Sequence, residues 1–204
     1  MKKSVKIEML WHLDKLILPF PVTIITTVDS DGNINAAPYS LAMPWCASPK
    51  NPQFMLSCNK AWHTPRNIEA NGEFVVNYPT SSLCEKVAET GRFYPEGINE
   101  LDYAGLNAIP SEKVSPPRIE ECYQHIECRV NEKFYPSSTQ VTFIADILDI
   151  SINEEFLEME RIERIKAMDL PIYFGTNKIG GSIFGIVGSY ETYSPDIKPK
   201  IEEK

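Results

Sequence analysis

The sequence predicts a mainly β protein, a β-barrel with peripheral helices, and three observations carry that expectation. Short β-branched and aromatic runs recur between compact turn signals and outnumber the segments with helical periodicity. Sixteen prolines stand against ten glycines; proline suits strand ends and fixed turns and breaks the interior of a helical bundle. A chain of 204 residues fits one domain that buries roughly 70% of its unfolded surface, so neither disulfides nor a structural metal are required.

Taken in order, Val22 to Val28 (VTIITTV) is β-branched almost throughout and reads as a buried strand. Asp29-Ser30-Asp31-Gly32-Asn33 supplies a hairpin turn, and a return strand follows from about Ile34. Gln53 to Ser57 reads as another strand. Thr64-Pro65-Arg66-Asn67-Ile68 starts a helix, with Thr64 as the capping hydroxyl and proline at the first helical position; Asn71-Gly72 closes it. Phe74 to Tyr78 is a strand. Ser82-Leu83-Cys84-Glu85 fits a capping box opening a helix that ends at Gly91.

The stretch from Phe93 to Pro117 reads as a long irregular loop, and such a loop in a compact domain is usually functional. Tyr123 to Val130 and Val141 to Ile152 read as strands. Asn153 to Met168 reads as one helix with an apolar stripe of Phe156, Ile162, Ile165 and Met168, and with Glu160 and Arg164 paired at i,i+4. Residues 1–190 are expected to form the single domain and 191–204 a charged C-terminal tail.

Composition narrows the function classes. The 28 acidic and 20 basic residues give a net charge of −8, which repels nucleic acid and anionic membrane, so neither is expected as a partner. An anionic ligand would need a local cationic cluster. Five cysteines without a CxxC pair suit reduced thiols in a cytoplasmic protein. Met1-Lys2-Lys3 is basic like a signal peptide, but His12, Asp14 and Lys15 interrupt any apolar core, and no apolar run approaches ~20 residues. There is no GxxxxGK[ST], GxGxxG or GxSxG motif, and His12, His63 and His125 lack metal-ligand spacing, so no metal site is expected.

Asn59 to Asn67 (NKAWHTPRN) carries the positive signal. A helix N-terminus offers unpaired N–H groups and a partial positive charge, which together attract anions. Lys60 precedes that terminus, His63 and Thr64 sit on it, and Arg66 lies just inside. A capped surface helix with scattered basic residues is the plainer account of this segment taken alone.

Asn35 to Leu41 (NAAPYSL) is the second candidate. Its small residues let a flat ring approach the backbone, and Pro38 fixes the local path. A bent edge strand explains it equally. Trp45 and Trp62 could stack on an aromatic cofactor, or serve core or interface. Cys46 and Cys58 lie near both segments, where an inert buried thiol is the simpler reading.

The order of these segments resembles the flavin reductase-like FMN-binding family of the flavoredoxin type. The match runs through Pro21-Val22-Thr23-Ile24-Ile25-Thr26-Thr27, Asp31-Gly32, Asn35-Ala36-Ala37-Pro38-Tyr39-Ser40, Asn59-Lys60 and Thr64-Pro65-Arg66-Asn67-Ile68. It continues in Gly72-Glu73-Phe74-Val75-Val76-Asn77, Asn99-Glu100-Leu101, Ala104-Gly105-Leu106, Pro116-Pro117-Arg118-Ile119 and Glu127-Cys128, spanning roughly residues 16 to 152. The region after Pro171, with Gly180-Gly181 and Tyr190, matches only faintly.

The resemblance implies a six-stranded antiparallel split β-barrel of Greek-key type that dimerises, with FMN at the dimer interface. Ala36, Ala37, Pro38, Tyr39, Ser40 and Leu41 would line the isoalloxazine ring. Ser57, Asn59 and Lys60, with Cys58 between them, would approach ribityl and phosphate, and His63, Thr64 and Asn67 with the helix N-terminus would hold the phosphate. The loop around Arg92, Phe93 and Tyr94 would cover the flavin, its own or that of the partner subunit. Family members often carry a histidine near the positions of Gln140 to Thr142, and this chain has none.

Three functions stand on this reading. One is an oxidoreductase in which NAD(P)H reduces FMN, which passes electrons to a flavin, iron or another acceptor with no essential protein acid or base. A second is a carrier whose FMN serves a protein redox partner. The third is a non-enzymatic split-barrel binding module, because a fold does not fix a function.

Overall fold

The computed structural model describes residues 2–7, 12, 18–176 and 181–189. In chain order these form β1 (Phe20–Pro21), β2 (Thr23–Val28), β3 (Ile34–Tyr39), β4 (Ala42–Cys46), β5 (Gln53–Asn59), helix α1 (His63–Asn71) and β6 (Glu73–Tyr78). A 3₁₀ turn (Ser81–Leu83) runs into α2 (Cys84–Thr90), followed by α3 (Glu100–Ala104), β7 (Ala108–Ile109), β8 (Arg118–Ile119), β9 (Gln124–Ser137) and β10 (Gln140–Ile152). Short helices α4 (Glu154–Leu157) and α5 (Arg161–Ala167) precede β11 (Pro171–Thr176) and β12 (Ser182–Ile186). The charged tail, Tyr190, Gly180, Asp14 and Lys15 lie outside the described residues.

The main sheet runs β3-β2-β6-β9-β10-β5-β4, and every pairing in it is antiparallel. Its two outer members, β3 and β4, are separated only by Ser40 and Leu41, so chain continuity joins the ends of the row and closes it into a barrel. The sheet has seven strands, of which β3 and β4 follow one another across this bend. The bend is pinned where Ser57 N–H donates to Leu41 O at 3.0 Å.

Alternation along the strands sorts side chains into two cores. Ile25, Phe54, Leu56, Phe74, Val76, Val141 and Phe143 fill the barrel. Ile24, Ala36, Leu83, Val87, Leu101 and Ile119 form a second cluster between the outer face of β2–β3 and helices α2 and α3. Strand β2 is therefore covered on both faces, which explains its nearly unbroken apolar run. A small β1-β11-β12 sheet shares no strand with the barrel sheet and packs Tyr173 and Phe184 against this second cluster.

Local turn chemistry behaves as its sequence dictates. At the β2–β3 hairpin Gly32 takes φ 85°, while the Asp29 carboxylate accepts the N–H groups of Asp31 (2.9 Å) and Asn33 (2.8 Å). Gly72 ends α1 in the left-handed region, and its N–H donates to Ile68 O at 2.8 Å.

Four expectations are corrected. Helix α1 is capped at Trp62 with no side-chain cap, because the Thr64 hydroxyl turns to Asn35 instead. The capping box at Ser82 does not form, since Ser82 Oγ meets Thr80 Oγ1 at 2.8 Å within the 3₁₀ turn. The Phe93 to Pro117 stretch contains α3, which Asn99 caps by accepting Leu101 N–H, and the small β7–β8 ladder closing from its far side. The 153–168 helix is two helices: Arg164 donates to the carbonyls of Leu157 and Met159 at the break, so it does not pair with Glu160 as expected. Phe156 and Met168 are nevertheless buried as the stripe requires.

Candidate functional site

Three segments enclose a cleft of about 250 Å³: the end of β3, the turn into α1, and the loop leaving α2. Strand β3 contributes Asn35, Ala37, Pro38 and Tyr39 as a floor. Small or ring-constrained residues there keep the floor flat. Tyr39 is almost fully buried, and Trp62 meets it edge-on with ring centroids 5.9 Å apart. The Tyr39 hydroxyl is buried beside Cys58 and Thr64, and burial holds its pKa well above the usual tyrosine range.

Ala61, Trp62, His63 and Thr64 form the second wall, where the chain enters α1. The turn before them is tied at both ends. Asn59 Oδ1 accepts Ala61 N–H at 3.0 Å, and Lys60 N–H donates to Thr139 O at 2.9 Å in the β9–β10 turn. The N–H groups of the first helical turn are short of intrahelical partners, as at any helix start.

The third wall is Thr90 to Tyr94. Glu89 organises it, taking Arg92 Nε at 2.9 Å on one oxygen and the Tyr94 hydroxyl at 2.6 Å on the other. The Tyr94 ring packs on Tyr103 at 4.8 Å. Gly91 allows close approach to the floor: a Cβ there would sit 3.0 Å from Pro38 Cγ. Phe93, 95% exposed, projects from this braced loop.

One end of the cleft is polar and shares a buried network. Asn35 Nδ2 donates to Glu100 Oε1 at 2.6 Å, and Ala36 N–H donates to Glu100 Oε2 at 2.8 Å. Asn35 Oδ1 accepts the Thr64 hydroxyl at 3.0 Å and the Thr27 hydroxyl at 3.3 Å, while Asn67 Nδ2 donates to Thr27 Oγ1 at 3.1 Å. Burial pushes the Glu100 carboxyl above its ordinary pKa, opposed by the two N–H donors and by the nearby His63.

The predicted site residues therefore divide. Ala37, Pro38, Tyr39, His63, Thr64, Arg92 and Phe93 come together on the cleft. Ala36 lies just behind its floor, fully buried. Ser40 and Leu41 form the bend that closes the barrel, and Asn67 lies outside the cleft lining, half-buried, with its amide on Thr27. Ser57 pairs with Thr142 through their hydroxyls at 3.0 Å. Cys58 packs in the barrel core, where burial pushes its thiol up to about 12. Lys60 leaves the cleft and places its ammonium over the Tyr135 ring at 5.0 Å. Arg66 turns to Glu96 at 3.7 Å.

Sequence reasoning missed Glu100, Thr90 and Gly91 as cleft residues. The one available signal was the Asn99-Glu100-Leu101 helix start inside a stretch read as irregular. Nothing local announces that its carboxylate reaches back to β3.

Known proteins with the same architecture complete the picture. The chain matches the model of the flavin reductase like domain over residues 15–174. An uncharacterised protein of Methanothermobacter thermautotrophicus is 34% identical over 150 residues, covering 71% of this chain and 68% of that protein. Flavoredoxin of Desulfovibrio vulgaris (Miyazaki F) superposes with a TM-score of 0.77 at 23% identity, over 97% of this chain and 99% of that one. Nitrilotriacetate monooxygenase component B from Bacillus cereus superposes with a TM-score of 0.77 at 24% identity, over 95% and 100% of the two chains. At those identities the two structures establish a shared fold, while the domain match covers most of the sequence. The chain belongs to the flavin reductase-like domain family.

Proposed function

We propose that this chain binds FMN in the cleft and passes electrons through it from NAD(P)H to a second flavin, iron or another acceptor. The make-up of the cleft carries this reading. A flat floor of Ala37, Pro38 and Tyr39, aromatic walls of Trp62, Phe93 and Tyr94, and a polar end at Asn35 and Glu100 match the parts of a flavin nucleotide.

In this reading the floor holds the isoalloxazine ring. The phosphate faces the first-turn N–H groups of α1, with His63 and Arg92 beside it. Bound FMN supplies the hydride acceptance and the electron transfer. The chain's own residues bind, orient and shield; none is assigned as an acid or base. The working unit is a cytoplasmic homodimer. Met43 and Trp45 support it: they are 46% and 59% exposed on β4, the last strand of the sheet order.

The test is the visible spectrum of purified protein after FMN is added and excess removed by gel filtration. A retained flavin spectrum at dimer size is expected. Colourless protein that also fails to turn over free FMN with NAD(P)H would overturn the proposal. A second reading is an FMN carrier for a protein partner: β10 offers Gln140, Val141 and Thr142, and no histidine, at its start. Anaerobic mixing with NADH or NADPH separates the two, since only the first expects rapid bleaching.

A further inference from the structure

We infer that Glu89 is a positioning residue that props the cleft open: it fixes the loop on either side of Phe93, so that this ring stays at the rim and does not fold into the empty cleft. The inference rests on flavin binding in this cleft and adds what governs the ligand's entry.

Phe93 combines two properties that coexist only under restraint. It lines the cleft, yet it is 95% exposed. The rings of Tyr39 and Trp62 line the same cleft, and burying an aromatic ring against such surface is favourable. A phenylalanine on a slack loop would spend much of its time inside, in the ligand's place.

The restraint is a clamp on both of its neighbours. The Glu89 carboxylate takes Arg92 Nε on one oxygen at 2.9 Å and the Tyr94 hydroxyl on the other at 2.6 Å. Both are charge-assisted contacts, which are stronger than neutral ones. Residues 92 and 94 are thus fastened to one side chain of α2, and Phe93 is the residue between them. Arg92 N–H also donates to Glu89 O at 3.1 Å. Tyr103 of α3 holds Tyr94 from a second direction, with ring centroids 4.8 Å apart.

The rival account is that the clamped loop only grips the bound ligand. The two accounts differ in the rate that they change. A prop acts on the empty cleft and sets association, whereas a grip acts on the occupied cleft and sets dissociation.

Stopped-flow mixing of the full-length protein with FMN, read by flavin fluorescence, gives both rates. If the freed ring fills the cleft roughly nine-tenths of the time, association slows about 10-fold. Glu89→Ala is expected to show that slowing, with dissociation changed by no more than about 2-fold. Removing the ring as well, in Glu89→Ala/Phe93→Ala, is expected to restore association to within about 2-fold of wild type. Tyr94→Phe removes one of the two clamping bonds and is expected to fall between; paired with Phe93→Ala, it replaces Glu89→Ala should that variant fail to fold.

Unchanged association in the clamp variants overturns the inference. So does a double variant as slow as the single one, or a change confined to dissociation. Wild-type protein that binds no FMN overturns instead the flavin reading, before any variant is compared.

Discussion

Glu100 Oε1 accepts a 2.6 Å hydrogen bond from the side-chain amide of Asn35, 65 residues earlier in the chain. With Ala36 N–H on its other oxygen, that carboxylate fastens α3 to the strand that floors the cleft. Both donors are buried, so each depends on it.

Replacing Glu100 by alanine leaves the Ala36 N–H and the Asn35 amide buried without an acceptor. An unsatisfied buried group costs about 1–3 kcal/mol. Glu100→Ala should therefore lower stability by about 2–6 kcal/mol for the two groups, measured as a fall in the urea midpoint at unchanged slope. A change below ~0.5 kcal/mol would show that water reaches these groups.

His125 supplies a pH dependence. Its Nε2 lies 2.8 Å from Ile119 O and its Nδ1 3.1 Å from Ser151 Oγ. Burial, with the Arg118 charge, holds its pKa below the ordinary 6.5. The unfolded chain then binds the proton more readily than the folded one. The stability from neutral His125 is complete above 6.5 and is lost as pH falls through the depressed folded value. Urea midpoints should fall between pH 7.5 and pH 5, and the fall should shrink in His125→Gln; equal slopes in both proteins would refute the assignment.

Gly91 tests the cleft geometry. A Cβ there would lie 3.0 Å from Pro38 Cγ, so Gly91→Ala must shift either the loop or the floor. Overpacking of this kind costs about 1–3 kcal/mol. FMN affinity should fall at least about 5-fold, at the low end of that cost. Isothermal titration reads it directly, and unchanged affinity would place the ligand elsewhere.

Thiol reactivity separates the five cysteines. Cys58, Cys122 and Cys128 are buried, and burial raises each thiol above its ordinary pKa. Cys46 and Cys84 are partly exposed. Native protein should react with a thiol reagent at no more than those two, and at all five once unfolded. Rapid labelling of Cys58 in the native state would contradict its place in the barrel core.

What could be read before folding was local. Asp31-Gly32 and Asn71-Gly72 specify their turns because glycine alone enters the left-handed region without strain. The β-branched run from Val22 marks a strand for similarly local reasons. Lys60 shows where such reasoning stops. Its position beside a helix start suggests an anion contact, yet its ammonium rests on Tyr135, 75 residues away, because the β9–β10 ribbon folds over α1. Thr64 likewise has the right type and place for a cap, but Asn35 lies within reach and takes its proton.

The barrel class and most of its strands follow from β-branched runs and turn residues, which act over a few positions. Strands β4, β11 and β12 and the Thr90–Gly91 and Glu100 parts of the cleft do not. Nor does the partner of each polar side chain. Glu100 meets Asn35, Cys58 enters the core and Lys60 leaves the cleft because strand pairing brings distant segments together. A hydrogen bond or a buried methylene then outweighs the weak preference of the isolated segment.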